Sequence, residues 1–259
     1  MVESKNVAAS SGRAHETRVA IDAPIEEVWK AITEAEAIAR WFAPKMTVEP
    51  GAGGFVLADF GPGMEWKTAI EVWEPNRHLR LVETRGQTIS PVEEKMEPCR
   101  LVQDYYLESA GGKTILRLVH SGFGSSQAWD HEYEGTRGGW AACFVRLKLG
   151  LERHSRDRTH NFILTAECRG LEYGPAMARI LSDVKPLEAV QRGKYEIAGL
   201  LPELNGSILT VSVQPSPAGS IAFVELLFFG LTDESAAAAR EAWRSKLAML
   251  FPSPVGTGR

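Results

Sequence analysis

Over Thr17–Asp22, Val19 and Ile21 alternate with polar neighbours, the period-two pattern of a strand with one buried face. The period changes after Asp22. Ile25, Val28, Trp29 and Ile32 recur at i, i+3, i+4 and i+7, which gathers them on one face of a helix. Pro24 suits a first helical turn, Glu26 and Glu27 sit at the positive end of the helix dipole, and Asp22 or Ala23 is the expected cap. A second short helix carries Ile38, Trp41 and Phe42 and stops at Pro44. Strand-like runs then recur at hairpin spacing over Phe55–Phe60, Met64–Trp73, His78–Thr84, Arg100–Glu108 and Lys113–His120. Gly51-Ala-Gly-Gly, Gly61-Pro-Gly, Glu74-Pro-Asn-Arg and Ser109-Ala-Gly-Gly punctuate them, and a Pro- and Glu-containing stretch, Gly86–Pro98, interrupts the series. Such spacing predicts a largely antiparallel sheet. Trp140, Phe144, Leu147 and Leu151, at i, i+4, i+7 and i+11, predict a long helix over Gly135–Glu152 whose apolar stripe lies on that sheet.

After the charged run Glu152–Arg158 the pattern resumes in shorter form. Asn161–Glu167, Ile208–Val213 and Ile221–Phe229 read as strands, Pro175–Leu181 as a short helix and Ser235–Leu250 as a terminal one. Arg240-Glu-Ala-Trp243 repeats the Arg137-Gly-Gly-Trp140 of the earlier long helix, with Leu247 and Leu250 answering Phe144 and Leu147, the mark of a weak duplication. The chain thus divides into a small-residue tail over 1–14, a domain over 15–154 and a smaller α+β domain over 155–259.

Composition narrows the function classes. The 29 Lys+Arg against 33 Asp+Glu give a net charge of −4 with no basic block, so neither nucleic acid nor an anionic membrane surface has an electrostatic footprint here. The apolar run Ile221–Leu231 is too short to span a bilayer and contains Glu225, and the N-terminus lacks the apolar stretch of a secretory signal, so membrane insertion is not expected and the expected compartment is the cytosol. Cys99, Cys143 and Cys168 are odd in number and widely spaced, and read as buried thiols rather than disulfide or zinc partners.

The common catalytic recipes do not occur: there is no GxSxG, GxxxxGK[ST] or HExxH, and Gly51-Ala-Gly-Gly precedes a strand where a dinucleotide loop must open a helix. His15, His154 and His160 have no second ligand at a metal-binding spacing, and no cofactor is expected. The densest group of polar and aromatic residues is His120-Ser121, Trp129, Asp130-His131-Glu132-Tyr133 and Arg137. There His120 or His131 could move a proton while Tyr133 and Arg137 orient or polarise a carbonyl. Asp130 and Glu132 also have a framework role at a helix N-terminus. The aromatics Trp29, Trp41, Phe42, Trp66, Trp73, Tyr105, Tyr106, Trp129 and Trp140 could line a cavity, most of them also serving as core, with Trp66, Thr68 and Ile70 sharing one strand face.

The order of strand, Ala23-Pro-Ile-Glu-Glu-Val-Trp, Trp41-Phe42-Ala-Pro, a strand ending His120-Ser-Gly-Phe-Gly, then Trp129 and Gly138-Gly-Trp140 on the long helix resembles the Hsp90-ATPase-activator-homologue branch of the START-like superfamily. The resemblance covers about residues 15–154, and the second domain shares only element order with it. It implies an α+β helix-grip fold, an antiparallel sheet wrapped around a C-terminal helix with a cavity between them. The reading it supports is a non-enzymatic protein that binds a small, mainly apolar molecule there, with Trp41, Trp66, His120, Trp129, Tyr133, Arg137 and Trp140 as the ligand contacts. Two alternatives stay open: a polyketide cyclase or lyase-like enzyme using His120, His131 or Tyr133, and an interaction module that contacts a chaperone.

Overall fold

A computed structural model of the chain describes residues 2–7, 12–61, 63–83, 100–182, 184, 188–216 and 218–252. Cys99 and the Gly86–Pro98 stretch lie outside the described residues. The chain forms two compact units, Met1–Asp157 and Arg158–Arg259.

The first unit runs β1 (Val2–Val7), β2 (Arg13–Ile21), α1 (Ile25–Thr33), α2 (Ala35–Ala39), β3 (Lys45–Glu49), β4 (Phe55–Asp59), β5 (Glu65–Glu74), β6 (His78–Glu83), β7 (Leu101–Ala110), β8 (Lys113–Phe123) and α3 (Asp130–Arg153). Its strands make one 8-stranded antiparallel sheet in the order β1-β2-β8-β7-β6-β5-β4-β3. The sheet's inner face packs on α3, where Trp140, Phe144 and Leu147 meet Val19 and Ile21 of β2, Leu116 and Leu118 of β8 and Tyr105 and Leu107 of β7 in one core. The α+β helix-grip expected from the sequence is the fold observed.

Three details differ from the sequence reading. Residues Val2–Val7, expected in a mobile tail, form β1 and pair with β2 from Val2↔Val19 to Val7↔Ala14. The backbone bonds along β2 supply that order without a run of apolar residues. Second, α3 begins at Asp130, a turn and a half before Gly135, and follows a short 3-10 turn over Gln127–Trp129. Arg13 from β2 holds this start by pairing with Asp130 at 2.6 Å. Third, Pro24 occupies the cap position of α1 and no side chain caps it; the Asp22 backbone N–H donates to Glu152 at the far end of α3 instead, at 2.7 Å.

The second unit contains β9 (Thr159–Arg169), α4 (Tyr173–Leu181), β10 (Glu188–Arg192), β11 (Glu196–Leu201), β12 (Ser207–Ser216), β13 (Gly219–Phe229) and α5 (Asp233–Leu250). Its 5-stranded antiparallel sheet has the order β10-β11-β12-β13-β9, so its first strand pairs with its last, as β2 pairs with β8. Ala176 and Ile180 of α4 and Ala236 and Leu247 of α5 enter its core. The repeated Arg-x-x-Trp pattern does not carry a shared contact. Arg240 lies over the Phe162 ring at 5.0 Å, whereas Arg137 pairs with Glu134 one turn back on α3 at 2.5 Å.

Candidate functional site

In the first unit a cleft opens between the inner sheet face, α1–α2 and α3. It is lined by Ile32, Ile38, Trp41, Phe42, Met46, Val56, Ala58, Trp66, Thr68, Leu81, Gln103, Tyr105 and Trp140, and has a free volume of about 40 Å³. Among the described residues, none that lines it carries a charge.

Strand alternation builds its floor. Trp66 and Thr68 on β5 face Ala58 and Val56 on β4, and Gln103 faces Leu81 across β7 and β6, so successive strands present alternate residues to the same side. Aromatic rings build its walls. Phe42, just after α2, stacks on Trp140 of α3 with centroids 5.3 Å apart, and Trp66 is tilted against both at 5.9 and 6.2 Å. Trp41 is fixed by its own indole N–H, which donates to the Ala31 carbonyl at 2.8 Å.

The stretch that carries Phe42 is held from both sides. Arg146, buried on α3, donates to the Phe42 carbonyl at 3.4 Å, and Arg40 donates to the carbonyls of His154 (2.8 Å), Asp157 (3.1 Å) and Ser155 (3.2 Å). Arg40 therefore clamps the end of α3.

The cleft's polar groups are few. Gln103 Oε1 accepts from the Tyr105 hydroxyl at 3.1 Å, and the Thr68 hydroxyl donates to the Val56 carbonyl at 3.4 Å. Trp66 Nε1 is buried with no hydrogen-bond partner among the described residues. Burial raises the Tyr105 phenol well above its ordinary range, so it stays a neutral donor.

Of the residues singled out in the sequence, Trp41, Trp66 and Trp140 meet at this cleft and His120, Trp129, Tyr133 and Arg137 do not line it. Trp129 and Tyr133 are buried with Leu101 and Phe123 in a separate small cluster. The Tyr133 hydroxyl lies 2.9 Å from both the Ala14 carbonyl and Asn6 Oδ1, which ties α3 to β1 and β2. Burial is also the main reason its phenol is raised. Arg137 turns to Glu134 on the helix surface. His131 stands nine residues before Trp140 in the sequence, half a turn round a helix of about 100° per residue, and faces away from the cleft. His120 is fully buried behind Trp140, whose indole N–H donates to His120 Nδ1 at 3.1 Å.

Among the cleft residues not selected from the sequence are Gln103 and Met46, and outside the cleft stands His15, considered in the sequence only as a metal ligand. Gln103 shares the inward phase of β7 with Leu101, Tyr105 and Leu107, and His15 that of β2 with Val19 and Ile21. A polar residue in an apolar phase is the signal that marks both. Among the described residues no group of three or more His, Cys, Asp or Glu could hold a metal ion, and no helix is long and apolar enough to cross a membrane.

An antiparallel sheet gripping a long C-terminal helix, with an aromatic cleft between them, defines the first unit as a START-like helix-grip domain. The family model described as Activator of Hsp90 ATPase homolog 1-like protein matches residues 22–152, and the chain belongs to that family. No curated protein matches the sequence. Among solved structures, the chain is similar to CalU16 from Micromonospora echinospora, with 22% identity over 59% of this chain and 85% of that one, at a TM-score of 0.43. It is similar to the Aha1 dimer from Colwellia psychrerythraea, with 18% identity over 53% and 95% of the two chains and a TM-score of 0.44. DynU16, a protein of the dynemicin biosynthetic locus, shares 17% identity over 91% of this chain and 95% of its own, with a TM-score of 0.43.

Proposed function

We propose that the first unit binds a small, neutral, mainly apolar molecule in the cleft between the sheet and α3. The observation that carries this reading is the lining itself: aromatic and aliphatic walls without charge among the described residues, and one buried indole N–H, that of Trp66, without a partner. Apolar burial supplies affinity in such a site, while a few placed polar groups fix orientation. Trp66 Nε1 would take a hydrogen-bond acceptor such as a carbonyl or ether oxygen, and a carboxylate or phosphate would find no counter-charge on the lining residues. A free volume of about 40 Å³ holds only a few atoms, so a larger ligand requires the Phe42 ring to swing off Trp140.

The reading is tested by titrating the full chain and its Trp66→Phe variant, which removes the N–H together with one of the two fused rings, with an environment-sensitive apolar fluorophore and with acceptor-bearing compounds. Saturable binding, with the variant selectively weakened for acceptor-bearing compounds, is the expected result. Absence of saturable binding by a folded protein would overturn it. A native mass spectrum of protein purified without refolding would then give the mass of the natural ligand. The cyclase or lyase alternative needs an acid or base at the cleft, and neither His120 nor His131 lines it. Chaperone contact stays a property named for the family, and no side chain described above favours it over the cleft.

A further inference from the structure

We propose that His15 and His120 together hold one neutral hydroxylic oxygen, from water or from the hydroxyl group of a ligand, enclosed between β2, β8 and α3. The two residues face each other across the β2–β8 ladder and both are fully buried. Their hydrogen bonds fix where each ring carries its proton. His120 Nδ1 accepts from the Trp140 indole N–H, so that nitrogen is bare and the proton of the neutral ring is on Nε2. The Thr136 hydroxyl lies 2.8 Å from the Glu132 carbonyl and 3.2 Å from that of Tyr133, both acceptors, so its single proton is committed to them. Its oxygen is left to accept from His15 Nε2–H at 3.2 Å, and His15 Nδ1 therefore presents a lone pair.

The remaining nitrogens are a donor, His120 Nε2–H, and an acceptor, His15 Nδ1, and neither has a hydrogen-bond partner among the described residues. Their rings lie edge to face with centroids 5.3 Å apart. Two hydrogen bonds of about 2.9 Å meeting at one oxygen reach between nitrogens up to about 5.8 Å apart, and this is the bridge assigned to an oxygen that accepts from His120 and donates to His15. Thr17 Oγ1, also buried without a partner, is on the same face two residues along β2 and offers a further bond. Buried polar atoms without partners are rare in native proteins, and a buried water commonly makes about three such bonds.

The same proton placement excludes other guests. A metal ion would need a lone pair from each ring, but His120 already spends its own on Trp140. An anion would need imidazolium, and burial together with the nearby Arg137 charge keeps His15 neutral. The surrounding rings of Phe123 and Tyr133 offer no charge. The site adjoins the cleft through Gln103, the cross-strand neighbour of His120, and through Trp140, which lines the cleft with its ring. A ligand hydroxyl would enter from that side.

The test uses the full chain labelled with 15N and a long-range 1H–15N spectrum of its histidines near neutral pH. Both His15 and His120 are expected in the neutral form with the proton on Nε2, and the His120 Nε2–H is expected to show a rotating-frame Overhauser cross-peak to water. Phenol serves as the hydroxyl probe. A water cross-peak that survives phenol assigns the site to water, whereas its replacement by a phenol cross-peak assigns it to a ligand hydroxyl. A proton on His120 Nδ1, a charged ring, or a His120 Nε2–H with neither cross-peak overturns the proposal. His15→Phe removes the acceptor and should move the His120 Nε2–H resonance and abolish the water cross-peak; an unmoved His120 signal also overturns it. Should that variant fail to fold, the spectra of the unaltered chain still decide.

Discussion

Phe42 and Trp140 lie face to face, their planes 5° apart, although one follows α2 and the other is the central aromatic of α3. The stack closes the cleft and joins its lid to its core. Trp140 also touches Tyr105 and Phe144 edge-on and donates to His120, so its ring serves the cleft wall, the sheet and the buried histidine at once.

Trp140→Ala should therefore destabilise the first unit by about 3–5 kcal/mol, the range for truncating a large buried aromatic. Urea unfolding followed by circular dichroism measures it. A loss below about 1 kcal/mol would mean that the α3 stripe is not core.

Trp66→Phe removes a fused ring as well as the N–H, so it should shift the affinities of a pure hydrocarbon probe and a similar ketone together through packing, and weaken the ketone by a further amount of about 0.5–1.5 kcal/mol, the net worth of one neutral hydrogen bond. Calorimetric titration of the pair of probes distinguishes this from a packing defect, which would weaken both alike.

Arg137→Ala should not alter binding of any cleft probe, because its guanidinium pairs with Glu134 on the surface of α3. Its effect on stability should stay within about 1 kcal/mol, as for other partly exposed ion pairs. A selective loss of binding by an anionic probe would return Arg137 to the site.

Stability should fall in mild acid. Burial, then the Arg137 charge, lowers the His15 imidazole from 6.5 to about 3, and burial, then the proximity of His15, holds His120 well below its ordinary value. The groups facing the two rings are Thr136, Tyr133, Phe123, Trp140 and Arg137, the last paired with Glu134. Because the folded-state values are depressed, the unfolded chain binds more protons below pH 6.5. The stability is fully present above 6.5 and is lost as pH falls toward the folded values, by up to about 1.4 kcal/mol per pH unit for each ring. Urea midpoints at pH 7.5 and 5.5 measure the slope. His15→Phe should reduce it by about half, and a flat profile in the unaltered chain would show that the rings are not buried neutral.

Much of the first unit was legible because its periods are long and regular. The Trp140–Phe144–Leu147 stripe and the Ser109–Gly112 hairpin needed nothing beyond spacing and turn chemistry. The cleft was legible only in part. Trp41, Trp66 and Trp140 announce themselves as large apolar side chains, but proximity in sequence misled at Trp129–Arg137, where successive helical residues leave the axis about 100° apart and so reach different surroundings. Arg137 precedes Trp140 by three positions and still ends at the surface. Gln103 and His15 carried a signal of another kind, a polar side chain in the inward phase of a strand, which becomes readable once the partner strands are known. Strand β1 carried almost none, since an edge strand that gains its order from backbone pairing needs no apolar period.

That strand covers an edge that would otherwise be open. Without residues 2–7, alternate residues of β2 between Ala14 and Val19 would present unpaired N–H and C=O groups on its outer edge, and Tyr133 would lose Asn6. Such an edge is a template for the strands of other molecules. A shortened chain beginning at Arg13 should keep its sheet and its cleft yet self-associate, so the short, polar β1 acts as a guard on solubility that contributes nothing to the cleft.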